Sequence, residues 1–567
     1  MSDSARKNRN KRKRERKREK QIARYGGNKS LESSSKKLEK LIKAVSTSHE
    51  SRENSTKEKK TNSSNCETCH QNIKKRKKNR NAGVEAIESI FRNVKTRDLS
   101  QVGVKALEWL ISPTPVDTFL SDHLEKKVLF VQRDNNREYF EGILSKNEIS
   151  EWLKDGKLSH NIDMTLSRYV DGKRETLYHD SSVKATPEKV WQDFKSPVNA
   201  SLRILRPQQH ADMLWKIVAS LESYFGCCGG ANSYLTPANS QGFAPHYDDI
   251  DAFILQLEGK KQWKVYKPYS GDDEELKALF PYLPRVSSRD FTEEEVSNLN
   301  LVLEIELNPG DMLYIPRGFV HQARSSPDIH SLHVTISTGQ KNTWGDMLLR
   351  ALPRAIETAV RDDQSECRML RESLPKDYHK FMGVMHSDQD ADTRRMEFSA
   401  HVVKLVQQLL LERLDVDLAA DQMYAKFLHD RHKPRRVVEN DSDDSEDLED
   451  HAEDSDCEDK NRFHVELMNK LKLDSRFKLT VCDAARLTVE DDAAVVYHSL
   501  KNTRKYHEVD PRGLEFEVED AEAIETILKS KPEEEPLIVR NLPHETDKDK
   551  LRVVQFLLTE KIITLVG

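Results

Sequence analysis

The stretch "HYDDIDAFILQLEGKKQWKVY", His246 to Tyr266, limits the folds open to this chain more than any other. Its middle is almost continuously apolar, as in a strand buried on both faces. Glu258-Gly259 then reads as a tight turn and "KKQWKVY" as a second strand, so the segment predicts one hairpin. Side chains two apart on a strand share a face. Lys261, Trp263 and Val265 therefore fall on one side, with Lys260, Gln262 and Lys264 on the other. Trp263 and Val265 mark the inward face, so Lys261 points inward, where lysine is almost never found without a partner. A small dicarboxylate would satisfy it, and so would an internal salt bridge to Asp249 or Asp251.

The same parity puts His246 and Asp248 on one side of the first strand. An imidazole and a carboxylate aimed at one point make two-thirds of the 2-His-1-carboxylate triad, which holds Fe(II) and leaves positions open. An HxD triplet is common by chance, so a third ligand is required. The second half of the region offers His321, His330 and His333. His321 lies in "NPGDMLYIPRGFVHQA", read as a turn at Pro309-Gly310, a strand "MLYIP", a tight connection at Arg317-Gly318 and a strand "FVHQA". On that last strand His321 shares a face with Phe319 and Ala323. An unpaired polar group there costs ~1–3 kcal/mol, so His321 needs a partner. On its own it reads better as a histidine bonded within the core. The inward Lys261 tips the balance towards iron on His246, Asp248 and His321, with 2-oxoglutarate chelating it and reaching Lys261 through its distal carboxylate.

From about residue 197 to 340 the chain is a series of short strands broken by Gly, Pro and Asp, which predicts a barrel or double-sheet roll. Ahead of it, order begins near Gly83. "VEAIESIF" and "VKALEWLI" have helical spacing, and "PVDTFLSDHLEKKVLFVQR" reads as a helix followed by a strand. "SKNE" at Ser145–Glu148 is a capping box, and "MTLSRYVDGKRETL" is a hairpin turning at Asp171-Gly172. After the roll the period becomes helical. "AHVVKLVQQLLLERL" is very apolar for a connector, and packing on its own roll and forming a dimer interface are equally open readings.

The formal net charge of −5 hides a segregation of charge. Residues 1–82 form a basic tail with too few apolar residues to fold. "KNRNKRKRERKREK" and "KKRKKNR" read as nuclear or nucleolar addresses with non-specific RNA affinity, against a merely solubilising role. "CETCH" at 66–70 has the form of a haem or half-zinc motif but lacks a second CxxC. Residues 437–460 are an acidic block expected to be a disordered linker. Residues 461–567 suffice for a small α+β domain. The seven cysteines are scattered, which suits a reducing compartment. No run approaches the ~18 apolar residues of a membrane span.

The span Arg203–Trp344 resembles the JmjC branch of the cupin superfamily. "GDMLYIPRGFVH" fits G-x5-P-x-G-x2-H, and the HxD is followed by Lys261, fifteen residues after His246. "ANSYLTPANSQGFAPHYDD" and "SLHVTISTGQKNTW" are similar to the ribosomal oxygenases, also described as bifunctional lysine-specific demethylases and histidyl-hydroxylases. The resemblance implies an α+β fold: a double-stranded β-helix of jelly-roll type with flanking helices (83–345), a helical dimerisation region (346–436) and a C-terminal winged-helix domain (461–567). It implies Fe(II) on His246, Asp248 and His321, and 2-oxoglutarate as cosubstrate with its carboxylate at Lys261. It places Asn232 and Tyr234 near cosubstrate and substrate and Ser337 on the substrate side, with Arg203 a weaker carry-over. The implied reaction is β-hydroxylation of a histidyl residue of a large-subunit ribosomal protein. Demethylation of histone H3 methyl-lysine is the alternative, and a non-catalytic ribosome-assembly or chromatin scaffold is a third reading. The implied partners are a ribosomal protein, the histone H3 tail in the alternative, and a second copy of the chain. No membrane partner is expected. Acidic runs such as "FEVEDAEAIE" in the C-terminal domain speak against sequence-specific nucleic-acid binding. The segment "SGDDEELKALFPYLPRVSSRDFTEEEVSNLNL" between HxD and His321 is expected to be a surface insertion.

Overall fold

The computed structural model describes residues 83–566 except 94–98, 181–184, 340, 388–390, 435–470, 491–492, 505–510 and 532–533. The expected basic tail, the "CETCH" motif and the acidic block lie outside the described residues.

Eleven strands build the central module. They are β1 (Leu129–Val131), β2 (Met164–Val170), β3 (Lys173–Leu177), β4 (Ser201–Leu205), β5 (Gly230–Thr236), β6 (Asp251–Gly259), β7 (Lys261–Tyr266), β8 (Leu301–Leu307), β9 (Met312–Ile315), β10 (Val320–Ser325) and β11 (Ser331–Thr338). Eight form one antiparallel sheet in the order β1-β9-β6-β11-β5-β4-β2-β3, and three form a second, β10-β7-β8. Together they make the double-sheet roll that the spacing predicted.

The apolar run of β6 has a two-sided cause. Phe253 and Leu255 face outward into a core shared with helices Leu99–Ile111 and Asp212–Phe225. Ala252 and Ile254 face inward, against Trp263, Val265 and Leu307 of the smaller sheet and Phe319 just ahead of it. The outer helices cross closely because Gly103 has no side chain. A Cβ there would lie 2.6 Å from the Ser220 carbonyl oxygen.

The predicted hairpin at Glu258-Gly259 is not one. β6 pairs with β9 and β11, while β7 pairs with β8 and β10. The turn is a corner that carries the chain from one sheet to the other. Gly259 has φ +60°, and a Cβ there would sit 1.6 Å from the His330 carbonyl oxygen, so no other residue fits.

Other local predictions hold. Ser145 and Glu148 form the reciprocal capping box of helix Lys146–Lys154. Asp171 and Gly172 both take positive φ between β2 and β3, as a two-residue hairpin turn requires.

Beyond the roll, helix Trp344–Arg361 starts from another capping box, at Thr343 and Asp346. The apolar segment expected as one helix runs as Thr393–Leu405, a wider π-turn at Val406–Leu410 and a tight turn at Leu411–Arg413. Helix Val416–Asp430 follows. The C-terminal part packs two three-stranded sheets with helices Ala521–Leu528 and Asp547–Thr559 around one apolar core. "PLIVRNL" is a strand only at Leu537–Ile538, because the chain then coils at Val539–Asn541 and the Arg540 N–H donates to the Leu473 carbonyl. Among the described residues no helix is long and apolar enough to cross a membrane.

Candidate active site

A small cavity of about 50 Å³ opens between the two sheets. At one end His246, Asp248 and His321 offer ligand atoms that all lie within 4.8 Å of one another. They meet by a route different from the predicted one. His246 and Asp248 precede β6 instead of lying on it. His246 joins the end of β10 through a two-residue bridge: its N–H donates to the His321 carbonyl (3.2 Å), and the His321 N–H donates back to the His246 carbonyl (2.8 Å). That pairing puts the two imidazoles side by side, 4.6 Å between centroids. Asp248 follows two residues on, and its carbonyl accepts from the Gly318 N–H (2.9 Å). Its carboxylate then lies 3.9 Å from His246 Nε2 and 3.7 Å from His321 Nε2.

The backbone also sets both tautomers. His246 Nδ1 is 2.8 Å from the Ala244 carbonyl oxygen, and His321 Nδ1 is 3.1 Å from that of Phe319. A carbonyl only accepts, so each Nδ1 carries the proton and each Nε2 presents a lone pair to the centre. Burial, with His246 beside it, pushes His321 down to about 4, so the ring is neutral at physiological pH. Two imidazole Nε2 atoms and one carboxylate fit a divalent iron.

The expected surface insertion is partly core and helps to hold this geometry. Phe280, Phe291, Val296 and Leu299 pack with Tyr247, Tyr266 and Val320. Ser288 Oγ accepts from the Tyr247 N–H (2.9 Å), the Ser288 N–H donates to the Tyr247 carbonyl (3.0 Å), and the Phe291 N–H donates to the Pro245 carbonyl (2.8 Å). The segment clamps the residues on either side of His246.

At the other end Lys261 points inward, as its parity predicted, and is 5% exposed. Its ammonium donates to Thr236 Oγ1 at 3.2 Å and meets no carboxylate among the described residues. The salt-bridge alternatives fail for specific reasons. Asp251 accepts from the Tyr314 hydroxyl (2.6 Å), and Asp249 accepts from Ser287 (2.7 Å). Burial pushes Lys261 down to about 7.

The cavity wall between the two ends comes from Tyr234, Thr335 and His333 of the larger sheet and Trp263 and Ala323 of the smaller. Tyr234 stacks on His333 at 4.9 Å between centroids, and its hydroxyl bonds Asn232. Ser337 shares the face of Thr335 but does not line the cavity, and its hydroxyl donates to the Gly230 carbonyl at 3.3 Å. Arg203 flanks the mouth, 5.6 Å from the ring of Phe243. His333 and Thr335 were missed as wall residues, although the parity of "SLHVTIST" puts both on Ser337's face. Burial holds His333 well below the usual range, and its Nδ1 has no partner among the described residues.

Comparison with known proteins agrees with this architecture. Residues 203–347 match the JmjC domain, and residues 445–565 match the C-terminal winged helix domain of ribosomal oxygenase 1. The "Bifunctional lysine-specific demethylase and histidyl-hydroxylase NO66" of Dictyostelium discoideum is 38% identical, over 86% of this chain and 88% of its own. "Ribosomal oxygenase 1" of Danio rerio is 36% identical, over 81% and 79%. Among solved structures, the ribosomal oxygenase YcfD of Escherichia coli in complex with cobalt and 2-oxoglutarate aligns over 80% of this chain and 99% of its own, at 15% identity and a TM-score of 0.39, too slight a likeness to argue from. On the sequence relatives and the two matched domains, the chain belongs to the JmjC ribosomal oxygenase family.

Proposed function

We propose that this 2-oxoglutarate-dependent dioxygenase hydroxylates a histidyl residue of a large-subunit ribosomal protein. The observation that carries the reading is the pairing, in one cavity, of a three-ligand cluster with a buried lysine that meets no carboxylate among the described residues. His246, Asp248 and His321 would hold Fe(II), and Lys261 would bind the distal carboxylate of 2-oxoglutarate. Bound together, iron and 2-oxoglutarate supply an oxidation of a substrate C–H coupled to decarboxylation to succinate and CO2. The chain's own part is placement. The backbone carbonyls of Ala244 and Phe319 aim both imidazoles, Trp263 and Ala323 form an apolar part of the wall, and Tyr234 with Asn232 offers polar contacts beside the centre. Ser337 and Arg203 are substrate-side candidates further out.

The names of the relatives join histidyl hydroxylation with lysine demethylation. The mouth of this cavity favours the neutral substrate. Arg174 and Arg203 approach the ring of Phe243 (4.3 and 5.6 Å), and neither makes an ion pair among the described residues, although Asp290 offsets part of the Arg174 charge. Two such cations repel a methylammonium. Mass spectrometry of peptides turned over with Fe(II) and 2-oxoglutarate tests the reading. A gain of one oxygen on histidine is expected, and loss of a methyl group from lysine as the sole product would reverse it.

The helical region supports self-association. On helix Trp344–Arg361 the buried face is Ala351, Ala355 and Ala359, while Trp344 and Leu349 are 85% and 68% exposed. Val402, Val403 and Leu411 add to the exposed apolar surface. A second copy of the chain is the occupant proposed, to be checked by light scattering. The basic clusters of residues 1–82 fit a nuclear and nucleolar location near ribosomal substrates.

A further inference from the structure

The sheet does not end at the cavity. The paired residues Thr165, Arg203, Tyr234 and His333 form one transverse row across β2, β4, β5 and β11. Tyr234 and His333 line the cavity, and Arg203 and Thr165 continue the row outward onto β4 and β2. Tyr169, paired with Arg174, lies further along the same face of β2. On these outer strands buried polar atoms lack partners among the described residues: Thr165 Oγ1, Ser201 Oγ, Arg203 Nε, Tyr169 hydroxyl and Arg174 Nε. Buried polar groups are nearly always paired, and each exception costs ~1–3 kcal/mol. A cluster of them on one shelf beside a cavity marks a surface that something else completes.

Phe243 is the hub of this shelf. Its ring lies 4.3 Å from the Arg174 guanidinium carbon and 5.6 Å from that of Arg203, 5.4 Å from Tyr234 and 6.3 Å from His246. The segment that carries it is pinned to the sheet. The Tyr169 N–H donates to the Gln241 carbonyl (3.0 Å), and a Cβ on Gly242 would meet Ser201 Cβ at 2.6 Å. Arg174 is thus held one aromatic ring away from a proposed metal ligand.

We propose that Arg174 binds the substrate peptide, donating with Arg203 to main-chain carbonyl oxygens of an extended segment on its way to the metal centre. This rests on the protein-hydroxylase reading above. Carbonyl oxygens suit the site better than a carboxylate, because Asp290 already offsets part of the Arg174 charge, whereas the Nε–H of each guanidinium has no partner among the described residues. A guanidinium offers such a fork and stacks on an aromatic face, and an ammonium does not.

The test compares wild type, Arg174→Ala, Arg174→Lys and the exposed neighbour variant Lys173→Ala in steady-state turnover of a histidyl peptide. Arg174→Ala is expected to raise the peptide KM about tenfold or more, with kcat within about twofold and the 2-oxoglutarate KM unmoved. Arg174→Lys should recover little of the loss, and Lys173→Ala should behave as wild type. An unchanged peptide KM in Arg174→Ala overturns the proposal. Full recovery in Arg174→Lys overturns the carbonyl assignment in favour of a carboxylate. If the wild type adds no oxygen to any histidyl peptide, the underlying reading fails and this proposal falls with it.

Discussion

The two ends of the cavity are prepared in opposite ways. At the metal end every group already has the form that iron requires. Each Nδ1 is tied to a carbonyl, each Nε2 is free, and burial keeps His321 neutral. At the lysine end the group is held in a form its ligand does not want. Among the described residues the Lys261 ammonium bonds one hydroxyl and lies 5.7 Å from the Trp263 ring centroid, and burial lowers it to about 7, so much of it is uncharged near neutral pH. The metal end is preorganised, while the lysine end stores a desolvation cost that a dicarboxylate would relieve. Three substitutions probe that contrast.

The largest effect is expected from Asp248→Ala. Three ligands are all that an open site of this type has, so removing the carboxylate should bring succinate production down to background. Its oxygens accept no side-chain hydrogen bond among the described residues, so the urea midpoint should barely move. Retained turnover would show that the cluster is not the iron site.

Lys261→Met should separate function from stability. Loss of a buried cation opposite a carboxylate costs about 2–5 kcal/mol of binding, so the 2-oxoglutarate KM should rise by roughly 30-fold or more. The free protein should become more stable at neutral pH, by about 1–3 kcal/mol in urea unfolding, because an under-partnered ammonium has left the core. The pH dependence has a fixed sign. An unfolded lysine protonates below its ordinary 10.5, and the folded one only below about 7. Between those values wild-type stability therefore rises with pH, and the cost is fully present below about 7. For the same reason 2-oxoglutarate should bind with proton uptake above pH 7, seen as a buffer-dependent heat in calorimetry. A destabilised Lys261→Met, or binding without proton uptake, would mean that Lys261 already has a charged partner.

Parity made the lysine end legible from sequence. Trp263 and Val265 fix the inward face of β7, and Lys261 follows without further knowledge. The same reasoning chose three residues that do converge, for a partly wrong reason. His246 and Asp248 are off the strand, and they converge because His246 pairs with His321, a contact 75 positions distant that no local pattern encodes. The corner at Gly259 misled for a related cause. A tight turn with positive φ serves a hairpin or a sheet change equally well, and only the partners of β6 and β7, β9 and β11 against β8 and β10, decide between them. The segment after β7 looked like surface because Asp, Glu and Ser dominate it. Its four buried apolar residues are spaced too widely to form a periodic signal.

That segment gives the smallest predicted effect and refines the contrast. His321 is positioned by the ladder of β10 with β7, which no single side chain maintains. His246 and Asp248 depend on a clamp from outside the sheets, and Ser288 is its most direct side-chain contact with the stretch between them. Ser288→Ala leaves the Tyr247 N–H without its acceptor. The global cost should be about 1 kcal/mol, because the neighbouring backbone bonds of Ser288 and Phe291 remain. The metal end should feel it more specifically, since groups that orient ligands typically contribute 10- to 100-fold to metal affinity. Iron affinity is expected to fall about tenfold, read by titrating Fe(II) under anaerobic conditions, with the affinity of the iron-loaded protein for 2-oxoglutarate unchanged. Unchanged iron affinity would mean that the segment only packs against the roll. Weakened 2-oxoglutarate binding at saturating iron would mean that the two ends of the cavity are coupled through it.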